Sequence, residues 1–186
     1  EKRFVEGVEQ YSYVLKVKPE RTLTYMDGKS TQAHKYTIGV EEFTWDLFNE
    51  AMPLLEAHWE EVAVNKEYIK LKPDYKLYFL MQESKTLNCL VARSEGKLIG
   101  YLVTFLYVHP HYTDHTFGQN DIFYISPKYR KGMLAIRLIK EQEKEMIRLG
   151  VSSITYHIKP ERDFSKLLER SGHTLFETVY RKDLTE

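Results

Sequence analysis

The sequence predicts a mixed α/β (α+β) fold, with one central and largely antiparallel sheet and helices packed against it. The β-branched and aromatic segments 86–93 and 97–108 are separated only by Ser-Glu-Gly, which is typical of a β-hairpin. A strand at 121–125, a long amphipathic helix and a strand at 152–158 then follow one another, which is the order of a parallel crossover. The 186 residues suffice for a single core of this kind.

The N-terminal part is interpreted as an extension, residues 1–30, that carries a β-hairpin. Its two strands are expected at 11–17 and 22–26, on either side of a Lys-Pro-Glu-Arg turn. The main domain is expected to span residues 31–186 and to begin with a strand at 31–40.

Helices are expected on both sides of the central hairpin. Residues 41–63 have a helical apolar stripe, in which Pro53 predicts a break into two short helices. The stripe consists of Phe48, Ala51, Leu55, Trp59 and Val62. A further helix is expected after Asp74, whose side chain can cap it. A short helix at 162–170 and a strand at 175–184 are expected to close the chain.

Two polar stretches are candidates for a substrate cleft. His58, Glu60 and Glu61 fall near the end of the helical segment, where they form either a solvated face or part of a binding site. After residue 108, the stretch H-P-H-Y-T-D-H-T-F-G-Q-N is predicted to be a polar loop with three histidines. Loops of this composition beside a ligand-binding turn often line the substrate cleft.

The strongest functional signal is the connection between the last central strand and the long helix. Apolar residues at 122–125 predict a buried strand, and a helix is expected from Gly132 to a cap at Gly150. A helix start has unpaired N–H groups and the positive end of the peptide dipoles, and Arg130 and Lys131 directly precede it. This combination predicts a site for a phosphate-bearing ligand, and the alternative is a basic loop that is merely exposed.

The same connection, I-S-P-K-Y-R followed by a small-residue turn and a helix, resembles the cofactor motif of the GNAT superfamily of acetyl-CoA-dependent N-acetyltransferases. Further similar pieces are K-L-I-G-Y-L-V, L-G-V, E-R-S-G-H and the terminal E-T-V-Y-R-K-D-L. The resemblance covers about residues 34–184. A looser similarity links the helical segment and the histidine-rich stretch to small GNAT-like proteins of bacteriophages and bacteria.

The resemblance implies a GNAT-like sheet in which the parallel strands before and after the long helix splay apart and receive the acyl-CoA arm. In the family pattern counted from Arg130, Met133 occupies the first small-residue position and Ala135 the second. The implied cofactor-binding residues are Tyr124, Ile125, Arg130, Lys131, Gly132, Met133, Leu134 and Ala135.

The resemblance also implies the reaction, which is transfer of an acetyl group from acetyl-CoA to a primary amine. That reaction requires a proton acceptor, a donor to the developing oxyanion, and a proton for the leaving thiolate. The candidate catalytic residues are Asp121, His157 and Tyr124, with Glu60 or Glu61 as further bases and a backbone N–H of Tyr124, Ile125 or a neighbour at the oxyanion. The candidate substrate-binding residues are Glu60, His109, His111 and Tyr112.

The proton donor is where the family pattern is not met. Many members of the superfamily place a tyrosine four residues before the glycine that follows the last helix, and that position is Leu168. Tyr124, Tyr156 and Tyr180 are the tyrosines that could substitute for it. This departure, together with Met133, motivates an alternative: a non-catalytic protein of the same fold that binds acyl-CoA or a protein partner.

Composition excludes several other classes. Lys plus Arg equals Asp plus Glu at 27 each, so we expect no nucleic-acid partner. No apolar run is long enough for a membrane span, and the lone Cys89 in an apolar run fits a reducing, cytoplasmic location. His109, His111, Asp114 and His115 could supply ligands for a metal ion, but no metal is expected, because their spacing matches no closed site. A homodimer is compatible with the sequence, because exposed strand edges can pair with those of a second copy.

Overall fold

The computed structural model describes residues 3–5, 8–10, 22–27 and 34–184. Strands β1 (Arg3–Val5) and β2 (Val8–Gln10) form a separate antiparallel pair. The strand predicted at 11–17 lies outside the described residues. The strand predicted at 22–26 is present as the first strand of the main sheet.

A six-stranded sheet forms the centre of the molecule, and its strands lie in chain order. They are β3 (Leu23–Asp27), β4 (His34–Val40), β5 (Leu87–Ser94), β6 (Lys97–His109), β7 (Tyr112–Ile125) and β8 (Val151–Thr155). All neighbours are antiparallel except β7 and β8, which are parallel. The predicted mixed sheet with one parallel crossover is therefore confirmed. The division of the chain at residue 30 stays a prediction, and β3 from before it pairs with β4 from after it.

Helices cover both faces of the sheet. They are α1 (Trp45–Val62), α2 (Tyr75–Glu83), α3 (Leu134–Arg148) and α4 (Ser165–Arg170). One core cluster joins α1 and α2 to Val91, Tyr101 and Val103, and the other joins α3 and α4 to Leu102 and Ile125. Because side chains alternate along a strand, successive residues of β6 and β7 serve opposite cores. No described helix is long and apolar enough to cross a membrane.

The predicted break at Pro53 is wrong, because α1 continues through this residue. Thr44 accepts a hydrogen bond from the Leu47 N–H at 3.2 Å and caps the start of the helix. The proline removes one backbone hydrogen bond, but Phe48 and Ala51 before it and Leu55 after it pack against the same apolar cluster. That shared burial keeps the two halves in one helix.

The predicted polar loop after residue 108 is also wrong. β6 extends to His109 and β7 begins at Tyr112, so the polar residues form the outer end of a long hairpin. The pairing there includes Tyr107 opposite Phe117, whose ring centroids are 5.9 Å apart. Polar residues are tolerated because antiparallel strands can face water on one side.

The strand predicted at 175–184 is not formed, because this segment has no regular secondary structure. A strand requires a neighbour for its backbone hydrogen bonds, and no described strand lies beside the segment. Its large apolar side chains are exposed: Leu175, Phe176, Val179, Tyr180 and Leu184.

The parallel strands β7 and β8 separate part of the way along β7. They pair from Thr116 opposite Val151 to Gln119 opposite Thr155, whereas β7 continues to Ile125 with β6 alone as its neighbour. The predicted splayed pair is confirmed, and we call the opening between the two strands the fork.

A β-bulge marks the start of the fork. Ile122 pairs with Val103 and Asn120 with Thr104, so Asp121 is an extra residue in β7. The Asn120 side chain stabilises the bulge, because its Nδ2 donates to the carbonyl oxygens of Val103 at 3.1 Å and Ile122 at 3.2 Å. Asp121 is thereby positioned where the two strands part.

Candidate active site

Residues 126–133, which we call the basic turn, connect β7 to the start of α3. Within the turn Gly132 has a φ of 128°, a conformation that other residues rarely adopt. A Cβ at this position would lie 2.7 Å from Oδ2 of Asp27, so a larger residue would also collide with β3. The predicted helix start is confirmed, since α3 begins at Leu134.

Arg130 in the basic turn is held by three different groups. Its Nε donates to the carbonyl oxygen of Ile125 at 2.7 Å, and its two terminal nitrogens donate to the Glu61 carboxylate at 2.7 and 2.6 Å. The guanidinium carbon lies 5.1 Å from the ring centroid of Tyr124. The hydrogen bonds that Arg130 donates lower the pKa of Glu61, and their acceptance by the Glu61 carboxylate raises the pKa of Arg130.

Glu61 also contacts the other side of the fork. Arg162, which follows β8, has its Nε 3.9 Å from Oε1 of Glu61 and 3.3 Å from the Glu61 carbonyl oxygen. Lys159 donates to the carbonyl oxygen of Val62 at 2.9 Å. The C-terminal end of α1 therefore bridges the segments that follow β7 and β8.

The Asp27 side chain, at the end of β3, lies at the N-terminus of α3. Its Oδ2 accepts hydrogen bonds from the Met133 N–H at 2.8 Å and from the Tyr36 hydroxyl at 3.1 Å. Its Oδ1 lies 3.1 Å from Nη1 of Arg137, and the Asp27 side chain is only 13% exposed. Burial raises the pKa of Tyr36 to about 12. A carboxylate at a helix N-terminus is an anion in a position that favours anions.

These contacts test whether the basic turn suits a diphosphate such as that of acetyl-CoA. The Met133 N–H and Arg130 both donate hydrogen bonds to carboxylate oxygens, so the hydrogen-bond donors of the basic turn suit an anion. Lys131 is exposed and forms no ion pair with another residue of the described part of the chain. Met133 is 50% exposed, and the buried Leu134 and the partly buried Ala135 belong to the core, so these three offer backbone groups.

The backbone at the end of β7 directs polar groups into the fork. The Ser126 N–H donates to the Ile99 carbonyl oxygen at 2.8 Å, so the peptide groups of alternate residues face β6. By this alternation the backbone N–H and C=O groups of Tyr124 face β6, whereas those of Phe123 and Ile125 face the fork. The hydrogen bond from Arg130 to the Ile125 carbonyl oxygen, at 2.7 Å, agrees with that direction.

Three tyrosines and a histidine lie on the α1 and α2 side of the fork. Tyr101 and Tyr124 are cross-strand neighbours with ring centroids 6.0 Å apart. His58 of α1 stacks on Tyr124 at 5.0 Å, and its Nδ1 is 3.0 Å from the Tyr101 hydroxyl. Burial lowers the pKa of His58 to about 4 and raises that of Tyr101, so both groups are neutral at pH 7. With Tyr78, we call these residues the tyrosine cluster.

Asp121 lies beside this cluster. Its Oδ2 accepts a hydrogen bond from the hydroxyl of Tyr78 on α2 at 3.3 Å. Partial removal from water raises the pKa of the Asp121 carboxyl, and the hydrogen bond from Tyr78 opposes that increase. A carboxylate with a raised pKa is a better proton acceptor than an ordinary surface carboxylate.

Other predicted site residues lie apart from this group. His157 follows β8 and is exposed. Glu60 is exposed and pairs with Lys66 at 2.8 Å, whereas its neighbour Glu61 faces the basic turn. Leu168, at the position where the family pattern has a tyrosine, is buried in the core that includes α3.

The predicted substrate residues His109, His111 and Tyr112 cluster at the outer end of the β6–β7 hairpin. The ring centroid of His109 is 5.3 Å from that of His111 and 5.2 Å from that of Tyr112. At about 3.3 Å per residue, Tyr112 lies roughly 25–30 Å from Asp121 along β7. Within the described ranges, no group of three or more His, Cys, Asp or Glu side chains is placed to hold a metal ion.

Two of the tyrosines that could substitute as proton donor have no described contact with the tyrosine cluster. Tyr156 packs edge-on against His173 at 5.1 Å, and burial raises its pKa. Tyr180 is exposed in the C-terminal segment. Of the three, Tyr124 is the one that belongs to the tyrosine cluster, and it also contacts Arg130.

Sequence reasoning missed Asp27, Tyr78 and Tyr101, and it noted His58 only as part of a helix end. Each owes its role to a contact across the fold, such as Asp27 to Met133 or His58 to Tyr101. The signal available for Asp27 was weak, since an Asp-Gly pair indicates a turn rather than a cap for a distant helix.

A forked sheet with a carboxylate at its start and an anion-binding turn at its end defines the class of site in this protein. A family model described as the acetyltransferase (GNAT) family matches residues 44–170, and the chain belongs to this family. The match begins after β3 and β4, so Asp27 lies outside it. The family assignment from the sequence is thereby confirmed.

Solved structures with the same fold include enzymes with different acceptors. A ribosomal-protein-alanine N-acetyltransferase from Brucella melitensis biovar Abortus 2308 has a TM-score of 0.62 at 20% identity, over 81% of this chain and 99% of that one. An aminoglycoside acetyltransferase from an uncultured soil metagenomic sample, in complex with sisomicin, has a TM-score of 0.64 at 15% identity, over 81% and 96%. Glucosamine-6-phosphate N-acetyltransferase from Arabidopsis thaliana has a TM-score of 0.60 at 10% identity, over 81% and 99%.

At these identities the similarity concerns the fold alone. No curated protein matches the chain.

Proposed function

We propose that this protein is an N-acetyltransferase that transfers an acetyl group from acetyl-CoA to a primary amine of a small molecule or a protein. The observation that carries this proposal is the fork, with Asp121 at its start and the anion-binding basic turn at its end. Membership of the GNAT family supports it. The structures of similar fold are named for acceptors as different as a ribosomal protein and an aminoglycoside, so the fold leaves the acceptor class open.

The basic turn is proposed as the donor side. Arg130, Lys131 and the backbone N–H groups of 132–135 would hold the diphosphate of acetyl-CoA, and Tyr124 and Ile125 would line its path into the fork. When bound, acetyl-CoA supplies an acyl thioester as the electrophile. Every polar group assigned here to the diphosphate is a hydrogen-bond donor, as an anion requires.

Asp121 is proposed as the proton acceptor for the amine. Its carboxyl is at the bulge, and its raised pKa increases its basicity. A positioned base typically contributes about 10² to 10⁴ in rate. Backbone N–H groups of Ile125 or Phe123, which face the fork, would stabilise the negative charge that develops on the carbonyl oxygen.

Tyr124 is proposed as the proton donor to the leaving thiolate. Its ring lies between the guanidinium of Arg130 and the ring of His58, at 5.1 and 5.0 Å. His157 and Glu60 are exposed, and neither is needed for this scheme. A cytoplasmic location remains part of the proposal and agrees with the buried Cys89, whose pKa burial raises to about 12.

Calorimetric titration with acetyl-CoA, CoA and desulfo-CoA tests the donor side without knowledge of the acceptor. We expect micromolar binding of all three. A screen of amines, in which CoA release is followed with a thiol reagent, then tests turnover. Absence of binding to folded protein would refute the donor assignment. The homodimer that the sequence leaves open remains a proposal as well, and sedimentation velocity would test it.

A second candidate function is a non-catalytic binding protein of the same fold. It is favoured by the buried Leu168 at the usual tyrosine position and by carboxylates that already bind the basic turn. This alternative predicts CoA binding without thiol release for every amine tested, or no binding. Thiol release that depends on both an amine and Asp121 would exclude it.

A further inference from the structure

Two carboxylates of the chain itself occupy the groups that are proposed for the donor's diphosphate. We infer that Asp27 and Glu61 determine the donor affinity of this protein, because the diphosphate must displace both from the basic turn. This inference rests on the proposed function and adds to it an exchange of anions. It assigns roles to one residue outside the family match and one residue within it.

Asp27 competes at the N-terminus of α3. Its Oδ2 accepts a hydrogen bond from the Met133 N–H at 2.8 Å. A diphosphate oxygen would accept from the same N–H. The carboxylate is also 2.7 Å from the place of a Cβ on Gly132, so it fills the space directly above the glycine. A phosphate oxygen and the Asp27 carboxylate cannot both occupy that space.

Glu61 competes at Arg130. Both of its carboxylate oxygens accept from the guanidinium, at 2.7 and 2.6 Å, which is the bidentate geometry that Arg also forms with phosphate. Glu61 also lies 3.9 Å from Arg162, so it spans the end of the fork where the donor would enter. Donor binding therefore requires this carboxylate to leave Arg130.

The exchange connects the donor side to the rest of the site. Glu61 is three residues after His58 on α1, so both side chains lie on one face of the helix. His58 contacts Tyr101 and Tyr124. Displacement of Glu61 by the donor would break the ion pair between α1 and the basic turn, whereas the contacts of His58 with Tyr101 and Tyr124 would remain.

Neutral variants of the two carboxylates provide the test. Asp27→Asn and Glu61→Gln keep the shape of each side chain and remove the negative charge, so the diphosphate displaces a weaker competitor. We expect calorimetry with desulfo-CoA to give affinities about tenfold tighter for each variant, and tighter again for the double variant, since tenfold corresponds to the loss of one charge-assisted contact.

Two control variants separate this effect from general ones. Asp74→Asn changes another aspartate that caps a helix, at 3.1 Å from the Leu77 nitrogen, but this helix is α2 and Asp74 has no described contact with the basic turn. Glu56→Gln removes the charge of an exposed glutamate on the same helix as Glu61. Both controls should bind desulfo-CoA with the wild-type affinity.

Thermal unfolding with and without desulfo-CoA gives a second readout. Asp27→Asn and Asp74→Asn should both lower the Tm of the free protein, because each removes a negative charge from a helix N-terminus. Only Asp27→Asn should then gain a larger Tm increase on addition of ligand, because a tighter ligand stabilises more at equal concentration.

The outcomes distinguish this inference from the proposed function. If wild-type protein binds desulfo-CoA and the two variants bind no more tightly, the carboxylates are structural, the inference is wrong and the proposed function stands. If the wild type fails to bind and the double variant binds, the inference is supported, and the donor assignment of the wild-type protein is refuted. If no folded variant binds CoA or desulfo-CoA, both are refuted.

Discussion

The two halves of the candidate site are built from different kinds of interaction. On the donor side, ion pairs dominate: Arg130 with Glu61 and Arg137 with Asp27. On the acceptor side, contacts involve neutral groups or a single charge, as between His58 and Tyr101 or Tyr78 and Asp121. In the proposed function, the donor half would therefore exchange one anion for another, whereas the acceptor half would move a proton.

The difference follows from where each half lies. The basic turn is largely exposed, and there charges are stabilised by water and by partners within reach. The tyrosine cluster lies between the sheet and the helices α1 and α2, where burial raises the pKa of Tyr78 and Tyr101 and lowers that of His58. Substitutions should therefore divide into those that change donor binding and those that change turnover or its pH dependence.

The largest effect is expected for Asp121→Asn. The amide cannot accept the proton of the amine, so kcat should fall by about 10² to 10⁴ with the best amine from the screen. The Kd for acetyl-CoA, measured by calorimetry, should stay within about threefold of wild type because the substitution lies outside the basic turn. Equal losses in both quantities would instead mean that Asp121 maintains the bulge.

Arg130→Glu should produce the converse result on the donor side. It reverses the charge that would face the diphosphate, and the loss of two charge-assisted hydrogen bonds should weaken acetyl-CoA binding about 100-fold or more. The milder Arg130→Gln should weaken it less, because the amide still donates. Arg170→Glu, an exposed residue of α4, is a matched control for charge reversal. Unchanged affinity in a folded Arg130→Glu variant would contradict the donor assignment.

The comparison also explains what could be predicted from the sequence. The basic turn and the start of α3 are local features, so I-S-P-K-Y-R and Gly132 were sufficient to place them. The carboxylates that bind the turn are remote in sequence: Asp27 contacts Met133, and Glu61 contacts Arg130. No periodicity or spacing encodes such pairs, because they depend on how β3 and α1 pack.

Two errors in secondary structure have the same origin. The polar composition of residues 109–120 predicts a loop, but pairing with β6 stabilises most of this stretch as the start of β7. The segment 175–184 has the composition of a strand, but no described strand lies beside it. In both cases composition indicated a tendency, and the presence or absence of a partner strand decided the outcome.

A moderate effect on the acceptor side is expected from His58→Gln. The pKa of His58 is lowered to about 4 in the folded protein, so between about pH 6.5 and pH 4 the unfolded chain binds more protons than the folded chain. Wild type should therefore lose roughly 1–3 kcal/mol of unfolding free energy as the pH falls through this range. The variant should lack that component in urea unfolding series measured at each pH.

His111→Gln is the matched control, since His111 is an exposed histidine at the outer hairpin end. It should keep the pH dependence of the wild type. If His58→Gln has the same pH dependence as wild type, the imidazole is accessible to protons in the folded protein, and the contrast between the two halves of the site would be weaker.

The smallest effect is expected for Tyr78→Phe. Its hydroxyl donates to Asp121 at 3.3 Å and so favours the ionised carboxylate, which opposes the increase in pKa caused by burial. Removal of the hydroxyl should raise the pKa of Asp121 further, because the hydrogen bond that favours the ionised carboxylate is lost. The acid limb of the kcat/KM profile should therefore move to higher pH, while acetyl-CoA binding at neutral pH is unchanged.

Tyr75→Phe, in the ring cluster with Phe43 and Trp45, is the control and should leave the profile in place. A shift to lower pH in Tyr78→Phe would mean that the titrating group is not Asp121, because loss of a donor cannot make a carboxylate more acidic.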